Sequence, residues 1–203
     1  MPSSRVFLLS PAFCAGERAK LLFNPAADFP LAVQLRERGV PIGELFTFLS
    51  GLYFRGKLAY SRAFARAPRG APGVLVITPT RGLVDPDTVL TLDELREFAK
   101  VNIAEQCERF LAPLVRDASA IACSSGRAHA ILLGSIATDK YVSTLATAFG
   151  DRLRFPEEFV GRGDMSRGGL LLRSVREARE LTYLPVAGAT RRGARPPRLV
   201  PIR

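Results

Sequence analysis

Residues 159–173 read FVGRGDMSRGGLLLR, in which four glycines, two arginines and one carboxylate precede a leucine run. Glycine lets a backbone approach a ligand closely, and Arg162 and Arg167 are of a type that holds phosphate oxygens. Asp164 and Ser166 are also good N-cap types for a following helix whose inner face would be Leu171, Val175 and Ala178. Asp164 therefore has two readings, helix cap and catalytic carboxylate. A second acid, Glu17, sits in SPAFCAGERA at residues 10–19, a loop predicted to enter a helix near Gly16. Backbone N–H groups there suit an anion, with Arg18 beside them, while Glu17 equally complements the helix dipole. A third loop, TPTRGLVDPD at residues 78–87, offers Arg81.

Rings interleaved with cations form another constellation. ELFTFLSGLYFRGKLAYSRAF at residues 44–64 alternates Phe46, Phe48, Tyr53, Phe54, Tyr60 and Phe64 with Arg55, Lys57 and Arg62. One reading is an amphipathic helix pair whose rings fill the core. The other is a surface that stacks bases on Tyr53 and Phe54 while Arg55 and Lys57 hold the backbone. Phe13, in the first loop, is a further candidate for base contact. The tail ATRRGARPPRLVPIR, residues 189–203, reads as an extended basic arm in which Arg191 and Arg192 are available to phosphates.

These groups need a scaffold to bring them together. Four apolar runs read as buried parallel strands: residues 5–10, 73–79, 129–135 and 151–156. Between them, residues 93–115 repeat apolar side chains at Leu95, Phe98, Ile103, Phe110 and Leu114, as one long helix would. TDKYVSTLATAFG places Tyr141, Leu145 and Phe149 on one helical face. Strands alternating with helices predict an α/β fold, a three-layer sandwich on a central four-stranded parallel sheet. Ligands of such sheets bind at the carboxyl ends of the strands, where all the loops above would lie.

The chain has 203 residues, 29 Lys and Arg against 19 Asp and Glu, and a net charge of +10. That predicts a single domain over residues 1–188, followed by the arm, and a polyanionic partner. One histidine excludes H-E-x-x-H and multi-histidine metal sites, and no Ser-His-Asp partner set is visible around it; at the start of an apolar strand, His129 reads as structural. Three cysteines without C-x-x-C spacing predict neither disulfides nor zinc, and fit a reducing cytoplasm. No membrane span, cofactor, metal or obligate protein partner is indicated. Phosphate fingerprints of the G-x-x-x-x-G-K-[ST] and G-x-G-x-x-G types are missing at the first strand, which demotes nucleotide hydrolysis and dinucleotide redox chemistry.

HAILLGSIATDKY and RLRFPEEFVGRGDMSRGGLLLR resemble the third strand, fourth strand, insertion loop and last helix of the uracil-DNA glycosylase superfamily. The resemblance covers most of the chain as topology, while SPAFCAGERA lacks the family's usual water-activating loop and FVGRGDMSRGG its histidine motif. A looser likeness links SGLYFRGKLAYSRAF and VITPTRGLVDPD to bacterial domains found near deazaguanine modification genes. The resemblance implies a glycosylase that removes a modified or damaged base from DNA, in repair or anti-phage defence. Glu17 and Asp164 would then be catalytic, and Arg18, Arg55, Lys57, Arg81, Lys140, Arg162, Arg167, Arg191 and Arg192 would contact DNA. The alternatives are a non-catalytic nucleic-acid-binding protein and a nucleoside or nucleotide N-glycosidase.

Overall fold

A computed structural model describes residues 4–197. Its elements follow in chain order: β1 (Arg5–Leu9), α1 (Glu17–Phe23), α2 (Pro30–Glu37), β2 (Val40–Pro41), α3 (Ile42–Ser50), α4 (Leu52–Phe64), β3 (Val74–Ile77), β4 (Leu83–Val84), β5 (Val89–Leu90), α5 (Leu92–Ala99), α6 (Glu108–Ser124), β6 (His129–Leu133), α7 (Val142–Phe149), β7 (Leu153–Pro156), α8 (Asp164–Arg176) and β8 (Tyr183–Pro185).

The main sheet has six strands in the order β4-β3-β1-β6-β7-β8, and β2 pairs with β5 in a small antiparallel ribbon. Neighbours within β3, β1, β6 and β7 run parallel, and these are the four apolar runs of the sequence. The expected four-stranded parallel sheet is thus the centre of a mixed one, because β4 and β8 add antiparallel edges. Both edges are only two or three residues long, too short to give a periodic signal, and β8 ends on Pro185 as edge strands can. No helix among the described residues is long and apolar enough to cross a membrane.

The pleat sorts side chains onto two faces. Phe7, Leu9, Val74, Val76, Ile131 and Leu133 face a core shared with α3, α4, α5 and α8. Val6, Leu8, Leu75, Ile77, Ala130 and Leu132 face a second core, shared with α6 and α7. Tyr141, Leu145 and Phe149 all enter this second core, as their spacing predicts.

The predicted long helix over residues 93–115 is two helices. The first helix stops at Ala99; the Asn102 side chain accepts from Ala104 N–H at 3.1 Å to start a short 3-10 turn over Ile103–Glu105, and Gln106 ends that turn at a left-handed φ of 50°. Leu95 and Phe98 of α5 consequently enter the first core and Phe110 and Leu114 of α6 the second. The connecting residues pass from one face of the sheet to the other. The start of α5 is set by a capping box between Thr91 and Glu94, two residues before the acid Asp93 that reads as an N-cap in the sequence.

Helices α4 and α8 cross closely because each offers a glycine. A Cβ on Gly56 would lie 2.8 Å from Gly168 O, and one on Gly168 would lie 2.7 Å from Leu52 O. Gly168 therefore serves helix packing and not approach to a ligand.

Candidate functional site

At the carboxyl ends of β1, β3 and β6 lies a cavity of about 410 Å³. Its walls come from the loop after β1 (Ser10 to Ala15), the junction of α3 and α4 (Leu49, Ser50, Tyr53), the crossing segment (Val101 to Ile103), the loop after β6 (Ser135, Thr138, Lys140, Tyr141) and Asp164 at the start of α8. This is the position where open α/β sheets bind ligands, and the segment that divides α5 from α6 forms part of it.

Behind the cavity wall stands Lys57. Its side chain is 1% exposed, on the inner face of α4 with Tyr53, Phe54 and Tyr60. Nζ donates to Ser10 O at 2.5 Å and to Ser10 Oγ at 2.9 Å, and lies 4.6 Å from the centres of both the Tyr53 and Phe54 rings. Burial lowers its proton affinity from the ordinary 10.5 to about 7; Asp164 opposes this fall and Arg167 adds to it. Ser10, which lines the cavity, separates this amine from the empty space.

Two phenols flank the same point. Tyr141 Oη donates to Ser135 O at 3.2 Å, and burial raises its proton affinity to about 12 while a bond to Ser10 opposes the rise. A Cβ on Gly134 would lie 2.7 Å from Tyr141 Oη and 2.8 Å from Ser10 Cβ, so only glycine lets these two side chains meet. The hydroxyl of Tyr53 is buried and makes no well-formed hydrogen bond. Burial raises its proton affinity as well, and the nearby Arg167 guanidinium works against that rise. Both tyrosines are therefore protonated donors throughout the neutral range. Cys14, another wall residue, is held as a thiol by burial, its proton affinity raised to about 12.

The expected site residues separate into those the fold gathers here and those it does not. Asp164, Tyr53, Phe13 and Lys140 line the cavity. Asp164 is exposed and pairs with Arg167 at 3.4 Å; the N-cap of α8 is Gly163, so neither Asp164 nor Ser166 has the capping role. Phe13 is 75% exposed, which leaves its ring free to contact a ligand. Lys140 makes no hydrogen bond or ion pair among the described residues.

Glu17 is elsewhere. It projects into solvent from the first turn of α1 and pairs with Lys20 at 2.6 Å, so the two proposed acids do not share the cavity. Phe54 is fully buried against Phe46, which removes it as a base-stacking ring. Lys57, expected on the surface with Arg55, is internal. The helical period places it four residues from Tyr53 and three from both Phe54 and Tyr60, on the apolar stripe, and that spacing was the available signal.

Several expected phosphate ligands are already occupied. Arg167 donates through Nε and Nη2 to Phe159 O at 3.2 and 3.1 Å and covers the Phe159 ring. Arg162 donates to Glu158 O, Ser166 Oγ and Pro197 O. Arg18 donates to Phe48 O at 2.8 Å, Arg81 pairs with Glu94, and Arg191 pairs with Asp139. Arg55 and Arg192 are exposed and make no such bonds among the described residues. The arm itself lies against the body where it is described: a Cβ on Gly161, at φ +72°, would meet Ala194 O at 2.1 Å. Its residues 198–203 lie outside the described residues. His129 faces Arg5 across the strand pair, and burial with Arg154, Arg5 and Arg152 depresses its protonation, in keeping with a structural role.

The chemistry available at the cavity is thus an amine near neutrality behind a hydroxyl, two phenolic donors, one ammonium and one carboxylate. Compared with protein-family models, with curated proteins and with solved structures, the chain matches none.

Proposed function

We propose that this cavity receives a nucleobase drawn out of a DNA strand and that its walls hydrolyse the N-glycosidic bond of a modified or damaged base. The observation that carries this reading is the composition of the cavity: Asp164 is the single carboxylate among its described lining residues, set in one space with buried phenolic donors and the exposed Phe13 ring. Glycosidic cleavage builds positive charge on the sugar and negative charge on the departing base. Asp164 stabilises the first, and Tyr53, Tyr141 and Lys140 offer protons to the second. Phe13 stacks on the extruded base or its neighbour, as extrusion requires. A volume of about 410 Å³ suits a base with its sugar. The net charge of +10 supports a polyanionic substrate over a free nucleoside. The parallel block of β3, β1, β6 and β7 with helices on both faces supports the likeness to the uracil-DNA glycosylase superfamily. A role in repair or in defence against phage with modified DNA follows from that chemistry.

Incubation with normal, uracil-containing and hypermodified phage DNA, followed by assay of abasic sites and released bases, tests this reading. Base release that falls by about 100-fold or more in Asp164→Asn is expected. DNA retention without release would assign a binding protein instead, and release from free nucleosides alone a small-molecule glycosidase.

A further inference from the structure

Lys57 has no part in the scheme above, yet its setting is unusual for a lysine. It is buried at the carboxyl end of the central strand, and its amine touches a hydroxyl that opens onto the cavity. We propose that Ser10 and Lys57 form a hydroxyl–amine couple in which Lys57 is the proton acceptor of this site and Ser10 relays to it the proton of the attacking water. The identity of the reaction rests on base release; the couple itself rests on geometry.

The contacts of Nζ suit both protonation states. As an ammonium it donates to Ser10 O and to Ser10 Oγ. As a neutral amine it keeps one N–H on the carbonyl and turns its lone pair to accept from the Ser10 hydroxyl. It is buried with no paired carboxylate, and the two aromatic faces offset only part of the lost hydration, so the charged form is only weakly favoured. The titratable and charged groups that face it are Asp164 and Arg167 from α8, Tyr53 from its own helix and Tyr141 across Ser10. Arg5 lies at the opposite end of β1, and Glu44 of α3 is exposed. Burial therefore brings the neutral amine within reach of neutral pH.

In the step, water forms a bond to the anomeric carbon and gives a proton to Ser10 Oγ. The original Ser10 proton passes to Lys57 Nζ, and the bond to the base breaks with its electron pair leaving on the base. A proton from solvent, directly or through a tyrosine that regains it from solvent, neutralises the base, and the ammonium returns its proton to solvent. Ser10 is unchanged at the end. A buried lysine acting on a serine hydroxyl is also the general requirement of Ser–Lys nucleophile activation.

A fluorophosphonate tests the couple without any nucleic acid. Ser10 oxygen would bond to phosphorus as the phosphorus–fluorine bond breaks, fluoride leaving and the hydroxyl proton going to Lys57. Peptide mass spectrometry should locate the adduct on Ser10, with a rate that rises with pH and levels above about 7. Ser10→Ala should give no adduct, and Lys57→Met a rate lower by about 100-fold. The wild-type pH profile is decisive even where a variant fails to fold. No adduct on Ser10 in the folded wild-type protein at pH 9, or an equal rate in folded Lys57→Met, overturns the couple. Parallel assays of base release separate the two claims. Lys57-dependent labelling with no base released from any DNA contradicts the glycosylase reading and leaves the couple standing. Base release by folded Lys57→Arg at the wild-type rate and pH profile overturns the couple and leaves the glycosylase reading.

Discussion

Two cationic regions of this molecule differ in a way that composition does not show. The entrance of α8, residues 159–168, is rich in arginine and glycine and resembles a phosphate cradle, yet its arginines bind the protein's own carbonyls. Arg167 is spent on Phe159 O and Arg162 on Glu158 O and Ser166 Oγ. The wall formed by β1 and α4 holds one lysine, out of sight, whose bonds leave a hydroxyl poised at a cavity. Charge that looks free at a loop is satisfied, and the charge that a helix buries is the one with chemistry to spare. An unpaired ammonium is costly inside a protein, which makes its proton easy to lose.

The most diagnostic effect separates these regions by pH. Lys57 is lowered from 10.5 to about 7, so the unfolded chain binds the proton more tightly and stability rises as pH increases between those values. From pH 7 to 9 the gain is about 2 kcal/mol, read from urea unfolding midpoints. Above 9 the buried Cys14 and tyrosines reverse the trend, since burial raises their proton affinities and the unfolded chain ionises first. Lys57→Met should remove the rising limb, whereas Arg167→Met should keep it.

Phe54→Ala and Phe13→Ala sharpen the contrast between a ring in the core and a ring at the cavity mouth. The first should cost about 3–5 kcal/mol in unfolding experiments, and the second under about 0.5 kcal/mol. Only Phe13→Ala should weaken DNA binding at unchanged stability, measured by fluorescence anisotropy. Gly168→Ala should cost about 1–3 kcal/mol or more through the α4–α8 crossing, with equal loss in Gly56→Ala. Arg167→Ala should destabilise by about 1–3 kcal/mol, because it removes the two guanidinium donors to Phe159 O, leaving only the Arg162 N–H, and uncovers the Phe159 ring. Glu17→Gln should change neither stability nor base release, because its only side-chain partner among the described residues is the exposed Lys20.

Much of the frame was legible in the chain. The four apolar runs became the parallel strands, since buried parallel strands need continuous apolar sequence. Tyr141, Leu145 and Phe149 showed the inner face of α7 by spacing alone. What stayed hidden was which partner each polar group would meet. Gly161 and Gly168 read as ligand-binding backbone, but the atoms they accommodate, Ala194 O and Leu52 O, come from distant parts of the chain. Ala178 was expected on the inner face of α8, but it lies past the helix end with φ 50°. Lys57 read as a surface cation because lysine usually is one. Its neighbours Tyr53, Phe54 and Tyr60 at spacings of three and four marked the stripe it occupies, but Ser10 is 47 residues away and only folding brings it into reach.

Titration of Lys57 itself is the most direct test of the assignment. Lysine-selective 13C labelling, with Lys57→Arg to identify the resonance, gives the side-chain shift against pH in the folded protein. A midpoint of about 7 is the expected result. A midpoint near the ordinary 10.5 would make Lys57 a permanent ammonium that only braces the end of β1, and would contradict its role as the proton acceptor of the cavity.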